Sequence, residues 1–357
     1  MKLARGHVYG PVPSRRLGAS LGIDVVPMKV CSYDCLYCQL GPTRELTDER
    51  RMFFPVAEIL ADVERRLHVW PPPDVITLAG SGEPTLYAGL GTLIACLKTL
   101  TDLPVALLTN GALFHRADVR REALDADLVL PSLDAGDEAT FELVNRPVPG
   151  LSLARVVDGL AEFRKEYRGR IWLEVMVLAG ITDTAERLAP VARLARRIGP
   201  DRIHLNTPVR PTFDERAAPV SPERLSALCR AFTPTAEVIA EWSGRHRTGT
   251  EGVEIAESEI RALLERRPCT VDDIASGLDL HPNAVLKSLG QLERSGAVHR
   301  VLRDGRVFWH AIAVRTDPVR RGQAHPEGRR PDRGKATPRT GKPPNRKAAS
   351  GRGKSTA

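Results

Sequence analysis

Cys31-Ser-Tyr-Asp-Cys35-Leu-Tyr37-Cys38 places three cysteines on one short stretch, separated by three and then by two positions. A loop of that spacing can turn three thiolates towards one point. Thiolates cap the irons of iron–sulfur clusters, usually as a set of four. Three leave one metal position open, and an open position is where a substrate or cofactor binds. The nearest histidines in sequence are His7 and His68, so no fourth ligand lies close by. A structural zinc site wants two separated pairs of ligands, and no second pair is present. A disulfide would strand one thiol, and the chain shows no secretory context. The stretch reads as an open iron–sulfur site.

The segments around it supply the frame. Residues 21–26 are a short apolar strand leading into the cysteine loop. After the loop, Val56, Ile59, Leu60, Val63 and Leu67 recur at a helical period from Pro55 onward, with proline at a first-turn position where its missing N–H costs nothing. Strands are predicted at 74–79, 104–109, 128–133, 171–178 and 202–206. Helices are predicted at 90–100, 118–124, 137–144, 152–167, 184–198 and 222–232. Apolar strands alternating with helices imply a parallel sheet covered by helices. Chemistry then collects at the C-terminal strand ends, where the cysteine loop lies. The pattern alone does not choose between a doubly wound sheet and an open barrel.

The C-x3-C-x-Φ-C pattern, with Tyr37 as its aromatic, resembles the signature of the radical S-adenosylmethionine (radical SAM) enzymes. The flanks Gly10-Pro-Val-Pro-Ser-Arg-Arg16-Leu-Gly, Gly22-Ile-Asp-Val-Val-Pro27 and Gln39-Leu-Gly41 are similar to one bacterial and archaeal subfamily. These are the Fe–S oxidoreductases distantly related to wyosine-forming tRNA enzymes. The resemblance runs over about residues 7–235 and more weakly beyond. It implies an α/β fold built as a partial (β/α)6 TIM-like barrel. It also implies a [4Fe-4S] cluster on Cys31, Cys35 and Cys38, with Tyr37 beside the cofactor. S-adenosyl-L-methionine on the open iron would be cleaved reductively to a 5′-deoxyadenosyl radical, with the electron coming from a flavodoxin- or ferredoxin-type donor.

Cofactor contacts are expected after successive strands. Gly80-Ser-Gly82-Glu83-Pro-Thr85 admits close backbone approach and offers a carboxylate to an ammonium group; it resembles the family's GGE-type motif, and otherwise reads as a capped βα turn. Asn110 follows the third strand and is a ligand or a turn residue. Ser132 and Asp134 interrupt an apolar run at the fourth strand; Asp134 suits ribose hydroxyls, or caps the next helix. Glu174 in the fifth strand is costly unless paired or at a cavity. Met176 and the stretch from Asn206 to Arg210 share that edge. Arg15 and Arg16 suit a phosphate or carboxylate, or face solvent. Cys96, Cys229 and Cys269 fall singly in helical segments and read as buried small residues, without forming a second cluster.

Of 357 residues, 42% are hydrophobic, and no run approaches a membrane span. The opening Met1-Lys-Leu-Ala-Arg-Gly-His lacks a secretory apolar core, so a cytoplasmic protein is expected. Residues 315–357 hold 13 Lys and Arg against 3 Asp and Glu, leaving 39 basic and 41 acidic residues elsewhere out of totals of 52 and 44. The net charge of +8 therefore belongs to a tail expected to be disordered, with at most weak nucleic-acid binding. The expected organisation is a radical SAM domain at 1–235, a linker at 236–253, a winged helix-turn-helix-like domain at 254–314, and the tail. Residues 251–314 carry 8 basic and 10 acidic residues, too few cations for an obvious DNA reader. His281, Asn283, Lys287, Ser288, Arg303 and Arg306 are its candidate readers.

The expected function is radical SAM catalysis, with a tRNA nucleoside as first substrate. Protein or peptide modification, including glycyl-radical activation, is the alternative. A third reading is a non-catalytic redox regulator acting through the winged helix.

Overall fold

The computed structural model describes residues 6–14, 16–67, 72–239, 257–278, 280, 282–303 and 305–312. The first two strands, β1 (Val8–Ser14) and β2 (Gly18–Ile23), form an antiparallel hairpin. Two-residue strands β3 (Val30–Cys31) and β4 (Glu45–Leu46) bracket the cysteine loop and pair with each other. Then come α1 (Val56–Leu67), β5 (Val75–Leu78), α2 (Leu90–Leu100), β6 (Val105–Thr109), α3 (Ala117–Ala123) and β7 (Leu128–Pro131). These are followed by α4 (Glu138–Val144), α5 (Leu153–Glu166), β8 (Arg170–Met176), α6 (Ala185–Ile198), β9 (Arg202–Asn206), α7 (Pro222–Leu228) and β10 (Glu237–Val238). A second group comprises α8 (Glu257–Leu264), α9 (Val271–Leu278), α10 (Pro282–Arg294) and the hairpin β11 (Val298–Arg303)–β12 (Arg306–Ala311).

The large sheet runs β1-β2-β5-β6-β7-β8-β9-β10, parallel from β2 onward. Its helix-facing side is continuous apolar packing from Ile23, Ile76, Leu78, Leu107, Val129, Leu173 and Leu205 onto α1, α2, α5 and α6. The other side curls on itself. Arg16, in the β1–β2 turn, pairs with Glu174 on β8, four strand positions away from β2 in the sheet order. Flat strands lie about 4.8 Å apart, so this pair closes only because the sheet bends into a partial barrel. Leu17, Val75, Ala106, Leu108, Leu128, Leu130 and Trp172 cluster on the concave side. Above them, Ser20 and Thr77 share a 2.6 Å hydrogen bond.

The helices start where the sequence offers caps. Asp137, Ser152, Thr184 and Ser221 accept from the N–H groups of Thr140, Arg155, Arg187 and Arg224, satisfying donors that the helix itself leaves open. Thr270 and Asp273 cap reciprocally: Asp273 N–H donates to Thr270 Oγ1 at 3.1 Å and Thr270 N–H to Asp273 Oδ2 at 3.0 Å.

Several boundaries differ from the sequence reading. β1 was not expected, because Gly10, Pro11 and Pro13 break its alternation; prolines are tolerated there because β1 is an edge strand. The first parallel strand lies at 18–23 rather than 21–26, and β10 pairs with β9 inside the expected linker. The 222–232 helix ends at Leu228 and continues as a single 3-10 turn, Cys229–Ala231. Residues Met1–Ala313 form one compact unit. Within it, Ile260, Leu263, Cys269, Ile274, Val285, Leu289 and Trp309 build a separate apolar cluster, against which Val12 of β1 packs. Arg15, His281 and the 315–357 tail lie outside the described residues.

Candidate functional site

The cysteine loop leaves β2 at the C-terminal edge and is clamped from two sides. On one side Asp34 N–H donates to the Asn145 and Arg146 carbonyls at 3.1 Å, Leu36 N–H to Val144 at 2.8 Å, and Val148 N–H to Ser32 at 2.9 Å. On the other, Lys29 N–H donates to the Ser81 carbonyl at 2.6 Å and Glu83 N–H to the Val30 carbonyl at 3.1 Å. Leu36 anchors the turn by packing with Val144, Met176, Leu178 and Ala217.

All three sulfurs meet hydrogen-bond donors. Cys31 Sγ faces the Tyr33 N–H at 3.5 Å and Asn110 Nδ2 at 3.6 Å, and Cys35 Sγ faces Asn145 Nδ2 at 3.8 Å. Lys29 Nζ donates to Cys38 Sγ at 3.0 Å. Burial pushes the Cys31 thiol up to about 12, with the Glu83 carboxylate adding to it. Burial raises Cys35 as well, helped by the Cys31 and Asp134 charges. Three thiolates here therefore demand a cation. Among the described residues no three Cys, His, Asp or Glu side chains converge as the shell of a single ion. In a four-iron cluster each thiolate caps a different iron, so its ligands stand farther apart than around one ion. The donor set, with polar hydrogens on every sulfur, fits such a cluster, because hydrogen bonds to its sulfurs are one lever on its potential.

The residues expected at the strand ends come together around this loop. Glu83 is buried; its Oε1 accepts from Thr85 N, Thr85 Oγ1 and Thr109 Oγ1 at 3.1, 2.6 and 2.6 Å, and its Oε2 from Asn110 N at 2.8 Å. Burial raises its pKa against those donors. Gly82 brings bare backbone against Val30, whose carbonyl oxygen a Cβ would overlap. Asn110 Nδ2 also donates to Ser32 Oγ at 2.9 Å. Asp134 is buried and accepts from Tyr37 OH at 2.6 Å, Asn145 Nδ2 at 2.7 Å and Met176 N at 2.9 Å. Ser132 stays partly exposed and its hydroxyl makes no hydrogen bond among the described residues.

The remaining expected residues make contacts among themselves. Asn206 Nδ2 donates to Glu174 at 2.8 Å and its Oδ1 accepts from Thr207 N at 3.0 Å, so it completes the Arg16–Glu174 pair. Arg16 is committed to that pair rather than to an anion. Glu174 is thereby satisfied within the concave side. Burial, with the Arg16 and Arg202 guanidiniums, pushes the neighbouring His204 down to about 4, so it is neutral. Arg210 reaches Asp273 at 3.2 Å. Cys229 and Cys269 are buried as expected, while Cys96 is half-buried; Cys269 lies not in a helix but between α8 and α9, paired with Trp309 in a β-bridge. Ser288 is buried in α10, its face turned inward, so it is no surface reader; Asn283 and Lys287 are exposed.

Sequence reading did not single out Lys29, Ser32 or Asn145. Lys29 has φ of 62°, a left-handed conformation rare outside glycine and asparagine, and nothing local signals it. Asn145 bridges Cys35 and Asp134 across 110 and 11 residues of chain.

Residues 25–195 match the family model of the Radical SAM superfamily, whose members use a [4Fe-4S] cluster and S-adenosylmethionine. Within it the chain belongs to the UPF0026 family. It is 33% identical over 308 residues to a UPF0026 protein of Methanocaldococcus jannaschii, covering 84% of this chain and 94% of that one. It is also 38% identical over 316 residues to a protein of Brachyspira hyodysenteriae named GTPase Obg, covering 88% of this chain. There it spans only 46% of the relative's length. A radical SAM methyltransferase from Sphaerobacter thermophilus superposes with TM-score 0.43 at 18% identity, over 63% of this chain and 66% of that one.

Proposed function

We propose that Cys31, Cys35 and Cys38 hold the [4Fe-4S] cluster, that S-adenosylmethionine sits against Tyr37, Gly82, Glu83, Asn110, Ser132, Asp134 and Asn206, and that the chain is an enzyme acting on a nucleoside of tRNA. The observation carrying the chemistry is the three-sulfur loop, with a donor on every sulfur, facing Glu83, Asn110 and Asp134 on one sheet edge. When bound, the cluster and cofactor supply a 5′-deoxyadenosyl radical by reductive carbon–sulfur cleavage. Glu83 would hold the cofactor's ammonium, with the Thr85 or Thr109 hydroxyl, each able to rotate, giving up its bond to the carboxylate. The Ser132 hydroxyl and the Asp134–Tyr37 pair would hold the ribose.

On this reading residues 1–235 carry the chemistry, and 254–314 are a winged-helix-like module presenting the substrate. A flavodoxin- or ferredoxin-type donor reaches the cluster, since the three cysteines remain partly exposed. No described helix is long and apolar enough to cross a membrane, and a reducing cytoplasm suits the free thiols.

Anaerobic reconstitution with dithionite and S-adenosylmethionine tests the chemistry: 5′-deoxyadenosine should form, and an intact cluster that never yields it rejects an enzyme. Nucleoside profiling of a deletion strain tests the substrate. One modified tRNA nucleoside should disappear or stop short, and a profile matching wild type transfers the reading to a protein or peptide substrate.

Lys29 gives a separate expectation. Lys29 is buried and its ammonium donates to Cys38 Sγ, and a positive charge there favours the more reduced, more negative cluster. Lys29→Met should lower the midpoint potential by about 60 mV or more, one charge-assisted hydrogen bond expressed at one electron. A potentiometric titration followed by electron paramagnetic resonance reads this; an unchanged potential means that Lys29 leaves Cys38 when the cluster is bound.

A further inference from the structure

One buried ion pair joins the second helical group to the glycine-rich loop. Asp24, directly after β2, is fully buried, and its Oδ1 accepts from Ser81 N–H at 2.8 Å. Lys29 N–H holds the Ser81 carbonyl at 2.6 Å. The Ser81 backbone is thus held at both its N–H and its carbonyl, two residues before Glu83. Gly80 on its other side has φ of +113°, and a Cβ there would overlap the Asp24 carboxylate.

The remaining oxygen of Asp24 faces Arg266, just past α8. Arg266 Nε and Nη2 both lie 3.0 Å from Asp24 Oδ2, and Nη1 donates to the Ala262 carbonyl at 2.7 Å. The guanidinium lies 4.0 Å over the Tyr9 ring, and Arg266 is 6% exposed. Two further ion pairs link the same helical group to the sheet unit without touching this loop: Arg66–Glu259 at 2.8 Å and Arg210–Asp273 at 3.2 Å.

We infer that Arg266 is a positioning residue for S-adenosylmethionine, fixing the Gly80–Glu83 loop through Asp24 and Ser81, so that the second helical group is a structural part of the cofactor site. A buried carboxylate that loses its cation must rehydrate, protonate or move, and each outcome releases the acceptor that orients Ser81. The guanidinium fork and its stacking on Tyr9 hold Asp24 in one rotamer, which a lysine does less well. The inference rests on the reading that Glu83 contacts the cofactor.

The test uses the full chain with its cluster reconstituted anaerobically, as Arg266→Met, Arg266→Lys and Arg66→Met. S-adenosylmethionine affinity is measured by equilibrium binding, and amide hydrogen exchange across residues 79–86 is measured without the cofactor. Arg266→Met should weaken binding about tenfold, the worth of one lost charge-assisted hydrogen bond. It should also speed exchange at the Ser81 and Glu83 amides while iron content stays unchanged. Arg266→Lys should show the same changes at about threefold, and carries the test if the methionine variant does not fold. Arg66→Met, which breaks the Glu259 pair and a hydrogen bond to the Gly10 carbonyl but leaves the Asp24–Arg266 pair intact, should show neither. Arg266 variants that match Arg66→Met in both measurements overturn the inference and leave the Glu83 reading standing. A wild-type protein that binds no S-adenosylmethionine overturns both.

Discussion

Cys35→Ala should give a folded chain that retains almost no iron after reconstitution, against about four irons for the wild type, and forms no 5′-deoxyadenosine. Cys35 is only half-buried, and Asn145 Nδ2 faces its sulfur at a long 3.8 Å. The fold therefore loses little, about 1 kcal/mol, while one iron loses its only protein ligand. Cys96→Ala is the control. Cys96 is half-buried on α2, outside the site, and its removal should leave both iron and product at wild-type levels. An iron assay and product chromatography, beside a thermal melt, separate loss of the cluster from loss of the fold. Retained iron with undiminished product would show that Cys35 is not a ligand.

Gly82→Ala should be nearly as damaging, through geometry rather than chemistry. A Cβ at Gly82 overlaps the Val30 carbonyl oxygen and comes within 2.9 Å of Val26 Cγ2. Val30 is in the strand entering the cysteine loop, and its carbonyl is the partner of Glu83 N–H at 3.1 Å. Neither backbone can yield without moving a cysteine or the Glu83 carboxylate. The cost should be about 3 kcal/mol, the upper range for overpacking a tight site, together with weakened S-adenosylmethionine binding. Gly150→Ala is the matched control: φ is +85° there, but nothing lies within 4 Å of the added carbon, so it should cost only about 1 kcal/mol of backbone strain. A Gly82→Ala protein as stable as wild type would mean that the two loops are not locked together.

What the sequence made legible follows from the range of the interactions. Strand–helix alternation and capping residues such as Ser152 and Thr184 act over a few positions, so the order of elements from β5 to α7 could be read directly. The three cysteines share one loop, and Glu83, Asn110 and Asp134 each follow a strand, so a parallel sheet is enough to bring them to one edge. Glu174 shows the limit. As a carboxylate in an apolar strand it reads as a cost needing a partner, but its partner Arg16 lies far along the chain and meets it only when the sheet curls. Asn145 and Arg266 are farther out of reach, 110 and 242 residues from the groups they hold. No local pattern marks an asparagine after a helix as a sulfur ligand's neighbour. No charge count marks one arginine among many as the partner of a buried aspartate.

The open sheet carries a hazard that closed barrels avoid. A barrel that does not close leaves two strand edges with unpaired N–H and C=O groups, each a template onto which another chain can add. Here β1 occupies one edge and packs against α8 and α9 of the second helical group, with Val12 seated in that group's apolar cluster. At the other edge β10 is only Glu237–Val238, with its glutamate exposed. Covering one edge and shortening the other lets the sheet stop short of closure without exposing a long strand for self-association.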